Sequence, residues 1–176
     1  MTIEYNFDYA LKTILFWEGG ISDDKHDPGG KTKWGLSTRF LKKIGIKKVD
    51  VVTREMMKSI YANYFWFECK CDELPSYLSL AVFDCAVNQG VPRASKILQK
   101  TVGVKVDGII GPKTISATKT MRSQLALRDY MARRAIHYSS LSNIIRYGLG
   151  WFRRLFDIHH RCILLIKRPP VNEDGG

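Results

Sequence analysis

Apolar residues near the N-terminus fall at Phe7, Leu11, Ile14 and Leu15, steps of three and four that place them on one face of a helix. Glu18 is the next position on that face, and Gly19-Gly20 stop the helix and turn the chain. A carboxylate that ends an apolar stripe is expected to face the interior or a cleft. Burial there raises its pKa, as a general acid requires near neutral pH. Residues 19–35 hold five glycines and one proline and read as a loop or small β lobe. A short helix is expected over 37–44, closed by Gly45. Thr53 then caps a helix reaching Trp66, with Met56, Ile60 and Tyr64 on one side. The segment 77–89 is apolar nearly all round, the mark of a central buried helix, and Gly90 ends it. Val91-Pro92 starts a helix to Thr101, Asp107-Gly108 marks a turn, and Gly111-Pro112 starts another helix. Two long helical segments follow over 123–141 and 149–167. Pro169-Pro170 stops the second, and residues 169–176 are expected to form a disordered tail.

The pattern is mainly α, with one small irregular or β lobe around residues 19–35. A chain of 176 residues suits one domain, taken here as 1–168, with a core large enough to need no disulfide or metal. No apolar run approaches the roughly 18 residues of a membrane span, and the polar, acidic start lacks the form of a signal peptide. The four cysteines make no Cys-x-x-Cys pair and have no histidines at ligand spacing, so neither a zinc site nor a cofactor is expected. Cys85, in the apolar helix, reads as packing. The net charge of +11 is uneven: residues 1–30 hold six acids and two bases, whereas 122–168 hold ten Arg or Lys and two Asp. A cationic half of this kind attracts polyanions. An anionic envelope serves as well as a nucleic acid, and no nucleic-acid motif singles out the latter. In the last helix Arg153, Arg154, Arg161, Lys167 and Arg168 flank Phe152, Leu155, Phe156 and 163–166, an amphipathic pattern that suits core packing or an anionic membrane surface.

Asp27 lies nine positions beyond Glu18, across a segment able to fold back on it. Two carboxylates facing one another across a cleft are the minimum apparatus for cleaving a glycosidic bond: one protonates the leaving oxygen and the other activates water or stabilises the oxocarbenium ion. The Thr32 hydroxyl is suited to holding that water. Asp84 and Asn88 are four apart in the apolar helix, so they share a face and either brace the core or line a cleft. Trp34, Tyr61, Tyr64, Phe65 and Trp66 suit core packing, and also the apolar faces of sugar rings. There is no P-loop, no dinucleotide fingerprint and no nucleophile elbow.

Glu18-Gly19-Gly20 with Asp27-Pro28-Gly29-Gly30-x-Thr32-x-x-Gly35 closely resembles the start of glycoside hydrolase family 108, N-acetylmuramidases found as phage endolysins and related bacterial proteins. Asp84-x-x-x-Asn88-x-Gly90, Ala94-x-x-x-Leu98-Gln99 and Asp107-Gly108-Ile109-Ile110-Gly111-Pro112-Lys113-Thr114 resemble the predicted peptidoglycan-binding region that accompanies it, and Gly150-Trp151-x-x-Arg154 resembles its late Gly-Trp-x-x-Arg segment. The resemblance implies a lysozyme-like helical fold, with residues 7–75 as the glycosidase part and 76–157 as the peptidoglycan-binding part. It implies hydrolysis of the β-1,4 bond between N-acetylmuramic acid and N-acetylglucosamine, with Glu18 as general acid and Asp27 and Thr32 completing a triad. Trp34, Tyr61, Asp84, Asn88 and Gln99 are the expected substrate contacts. Peptidoglycan is the expected partner of a monomeric enzyme that waits in the host cytoplasm before acting on the wall. A lytic transglycosylase and a non-catalytic peptidoglycan-binding protein are the alternatives.

Overall fold

The computed structural model describes residues 6–19, 21–22 and 32–167. Asp27 and the expected tail over 169–176 lie outside them. Helix α1 (Phe7–Glu18) begins where Asn6 accepts the Tyr9 amide and ends at Gly19, whose φ of 66° no side chain adopts cheaply. Three two-residue strands follow: β1 (Ile21–Ser22), β2 (Thr32–Lys33) and β3 (Leu36–Ser37). They form one antiparallel sheet in that order, with Ser22 opposite Thr32 and Thr32 opposite Ser37. The small lobe is therefore β, and it runs two residues further than its glycine content indicates.

Between β2 and β3 the two-residue turn is Trp34-Gly35, with φ of 52° and 76°. Positive φ at both central residues is the requirement of a type I′ hairpin, normally met by Asn-Gly. For tryptophan it costs about 1–2 kcal/mol. The Trp34 carbonyl accepts from the Tyr61 hydroxyl at 2.9 Å, and Lys33 Nζ lies 4.6 Å from the indole centroid, contacts that offset the strain.

Helix α2 (Thr38–Lys43) is capped by Ser37, and α3 (Arg54–Tyr61) by Thr53 as expected. The single helix expected to reach Trp66 instead widens into a π-turn at Ala62–Trp66, marked by the Phe67 amide bonding the Ala62 carbonyl five residues back. That insertion turns both Tyr61 and Trp66 inward. Trp66 packs edge-on against Phe7 and Phe83 at 5.4 and 5.3 Å.

Helix α4 (Ser76–Gln89) is the axis of the molecule, with every residue from Tyr77 to Ala86 buried. Around it pack α5 (Val91–Val102), α6 (Pro112–Thr120), α7 (Ser123–Ser139) and α8 (Ile144–Lys167), and one continuous core joins them to α1 and α3. Helix α8 starts five residues earlier than expected. Gly148, just before the expected start, lies inside the helix, and a Cβ there would meet Ile144 at 2.8 Å. Of the two readings of the apolar face of α8, the burial supports core packing. Leu155 and Leu165 are core, Phe152, Ile163, Leu164 and Ile166 are half-buried, and of the named apolar residues only Phe156 is well exposed. Most of that face belongs to the protein interior. No described helix is long and apolar enough to cross a membrane.

Candidate active site

Two successive residues at the end of α1 are tied to two residues of α8 that lie one turn apart. Trp17 Nε1 donates to Asp157 Oδ2 at 2.8 Å, and Arg154 Nη1 donates to Glu18 Oε1 at 2.5 Å. These contacts close loops of about 140 residues, so they fix where the first helix ends on the completed bundle. Arg161 shares Asp157 at 2.8 Å and anchors the same seam.

From Arg154 the charges continue inward. Its Nε donates to Asp84 Oδ1 at 2.7 Å, and Arg134 Nη2 donates to Asp84 Oδ2 at 2.6 Å. The result is an alternating chain Glu18–Arg154–Asp84–Arg134 drawn from α1, α8, α4 and α7. Asp84 and Arg134 have no exposed side-chain surface, while Arg154 and Glu18 keep 6% and 16%. The chain thus grades from the core to the one carboxylate that reaches solvent. Burial pushes the Asp84 carboxyl up, but the charges of Arg154 and Arg134 and their hydrogen bonds outweigh it, and its pKa ends below the ordinary value. For Arg154 burial acts downward; Asp84 and Glu18 outweigh it, so the guanidinium stays charged. Arg154 Nη2 and Arg134 Nε are buried without a hydrogen-bond partner among the described residues.

The β hairpin forms the other wall. An ideal Cβ on Gly35 would stand 2.5 Å from Glu18 Oε2 and 2.7 Å from its Cγ. One carboxylate oxygen is therefore held by Arg154 and the other lies against a residue that must be glycine. Gly35→Ala is expected to destabilise the fold by about 1–3 kcal/mol through its positive φ, and to cut activity at least tenfold by displacing Glu18. Thermal unfolding and rate assays on one preparation check both. Tyr61 lies in the same field: burial, then the Glu18 charge, raises its pKa, partly offset by Arg154, so the phenol stays protonated and serves as a donor to Trp34.

Glu18, expected in an apolar setting, instead ends on a guanidinium. Thr32, half-buried on β2, sits three residues before Gly35, so the hairpin carries it toward the same wall. Trp34 is half-buried at the turn, and Asn88 is exposed one turn beyond Asp84 on α4. Asn88 Oδ1 accepts from the Tyr138 hydroxyl at 2.5 Å, and the Tyr138 ring stacks on Trp151 at 5.2 Å. Its amide nitrogen has no partner among the described residues. The other three expected residues turn their polar atoms inward. Tyr61 and Asp84 are fully buried and spend their polar atoms inside the protein. Gln99 is also buried; it donates to Asp107 Oδ1 at 2.7 Å and the Ile109 carbonyl at 3.0 Å, and accepts the Gly108 amide at 2.8 Å. Gln99 is the clamp of the Asp107-Gly108 turn.

The residues missed from sequence are Arg134 and Arg154 as interior charges. Helical spacing carried the signal. Arg134 is four from both Tyr130 and Tyr138 on the buried face of α7, and Arg154 lies three from Trp151 and four from Ile158 on the inner side of α8.

The glycosyl hydrolase 108 family model matches residues 11–90, which contain Glu18, the hairpin and Asp84. A second family model, a predicted peptidoglycan domain, matches residues 93–156, which contain Arg134 and Arg154. Among curated proteins none matches. Among solved structures, Brucella abortus SagA shares 31% identity and a TM-score of 0.84, over 90% of this chain and 94% of that one. The chain belongs to the glycosyl hydrolase 108 family and is a glycoside hydrolase that acts on peptidoglycan.

Proposed function

We propose that the protein is an endolysin-type N-acetylmuramidase that hydrolyses the β-1,4 bond between N-acetylmuramic acid and N-acetylglucosamine, with Glu18 as general acid. The observation that carries this reading is the setting of Glu18. It is the solvent-reaching end of a buried charge relay, with one oxygen fixed by Arg154 and the other confined by Gly35. A proton donor held this way cannot rotate away from a sugar bound between hairpin and α8, and orientation of this kind supplies much of the barrier reduction in acid catalysis.

In the proposed step, protonated Glu18 gives its proton to the glycosidic oxygen. The C1–O bond breaks with its electron pair on that oxygen. Asp27, carried over from the family resemblance, takes a proton from water as the water oxygen bonds to C1, with Thr32 orienting that water. One water is added across one bond, and the proton returns to Glu18 through solvent. Arg154 touches Glu18 and acts as its positioning residue. Trp34 and Asn88 are the proposed sugar contacts. We place the action of this monomeric enzyme at the cell wall, after release from the cytoplasm of the host.

Incubation with purified sacculi tests the proposal. Wild-type protein is expected to solubilise them and generate new reducing ends in step. Solubilisation without new reducing ends would instead indicate a lytic transglycosylase, and tight binding with neither would indicate a non-catalytic binding protein.

A further inference from the structure

Away from Glu18, a positively charged recess lies at the junction of α4 and α5. A groove of about 460 Å³ is lined by Gln89, Pro92, Arg93, Lys96, Ile97 and Lys100. Three of these six are cations on one face of α5, and no ion pair engages them among the described residues. The nearby Asp107 is spent on Gln99 and the Ile109 amide. Lys96 is seated by the backbone, since an ideal Cβ on Gly108, at φ 87°, would stand 3.2 Å from Lys96 Cε. The Asp107-Gly108 turn, clamped by Gln99, therefore supports the groove from beneath. Gln89 links the groove to the charge relay: its Nε2 donates to the Arg134 carbonyl at 3.4 Å, five residues and about 7.5 Å along α4 from Asp84.

We propose that this groove binds the peptide stems of peptidoglycan through their carboxylates, a proposal that rests on the muramidase reading for the substrate's identity. The spacing favours an extended acidic peptide over a compact anion. Lys96 and Lys100 are about 6 Å apart along the helix axis, and Arg93 and Lys100 about 10 Å. A single phosphate would need donors converging within hydrogen-bond reach. Joined through the γ link, the α-carboxylate of D-Glu and the terminal carboxylate of D-Ala stand about 10 Å apart on an extended stem, which matches the separation of Arg93 and Lys100. The exposed Pro92 beside the charges offers apolar contact for the methyl groups of alanine residues.

The test uses the full chain and the exposed triple variant Arg93→Gln, Lys96→Gln, Lys100→Gln. One arm measures calorimetric binding of the free tetrapeptide L-Ala-γ-D-Glu-L-Lys-D-Ala and of the same peptide with both carboxylates amidated. Wild type is expected to bind the first and lose about tenfold in affinity for the second, and the variant to bind both equally weakly. The other arm compares hydrolysis of intact sacculi with hydrolysis of glycan strands stripped of peptide. The variant is expected to lose about tenfold in kcat/KM on sacculi, with an unchanged rate on stripped strands. Equal losses on both substrates, no loss on either, or displacement of the peptide by inorganic phosphate at equal concentration would overturn the proposal. Should wild type cleave neither glycan, the muramidase reading fails, while the peptide titration still decides the groove.

Discussion

Glu18→Gln is expected to lower the rate of peptidoglycan hydrolysis by at least about 10³-fold while leaving the fold intact. Glutamine keeps an oxygen that accepts from Arg154 and loses only the transferable proton, so the loss isolates general-acid catalysis, worth about 10²–10⁴-fold, together with the charge it places beside the developing cation. Glutamine keeps the hydrogen bond and Arg154 retains Asp84 as its counter-charge, so the stability cost should be well below that of removing Asp84. Turbidity loss in permeabilised bacteria and thermal unfolding of the same preparations separate the two effects. Near-normal lysis by the variant would remove Glu18 from the acid role. Glu18→Ala is the harsher control, because it also frees Arg154 to move.

The second large effect concerns stability. Asp84→Ala is expected to cost about 3–5 kcal/mol, because it leaves two guanidiniums, Arg134 and Arg154, buried without the anion between them. For a chain of this size that corresponds to a fall in melting temperature of roughly 10 °C, readable by circular dichroism. The relay also predicts the direction of acid unfolding. Asp84 has a pKa lowered in the folded state, so its stabilisation is complete above the unfolded value near ~3.9 and disappears as pH falls through the lower folded value. Wild type should therefore lose stability below about pH 4, and Asp84→Asn should flatten that dependence while being less stable at neutral pH. An unchanged melting temperature in Asp84→Ala would mean that the two arginines find water or other acceptors, and that the relay does not position Glu18.

The α-helical class, the start of most helices and the Glu18 end of α1 were readable from periodicity and caps. Spacing alone could not show the π-turn at Ala62–Trp66, because the apolar pattern of α3 continues into it and only backbone hydrogen bonds betray the extra residue. The start of α8 was hidden by Gly148, which looks like a breaker but packs closely against Ile144. At the site, local sequence marked Glu18 and Asp84 as unusual, yet their partners are 50 to 136 residues away. Arg134 and Arg154 sit in segments crowded with exposed arginines, and residue type does not distinguish a core cation from a solvated one. Helical phase does: both share the buried face with tyrosine, leucine or isoleucine. Gln99 was singled out for its neighbourhood and proves to be the clamp of the Asp107-Gly108 turn, a role visible only once the turn has folded over α5.

The central claim is that Glu18 drives addition of water to a muramyl bond. Mass spectrometry of muropeptides released from purified sacculi in ¹⁸O-labelled water tests it most directly, with wild type and Glu18→Gln side by side. Wild type is expected to place one ¹⁸O at the new reducing end of N-acetylmuramic acid, and the variant to give almost no product. Anhydro-muramyl ends without label, label on N-acetylglucosamine ends, or equal labelled product from both proteins would contradict it.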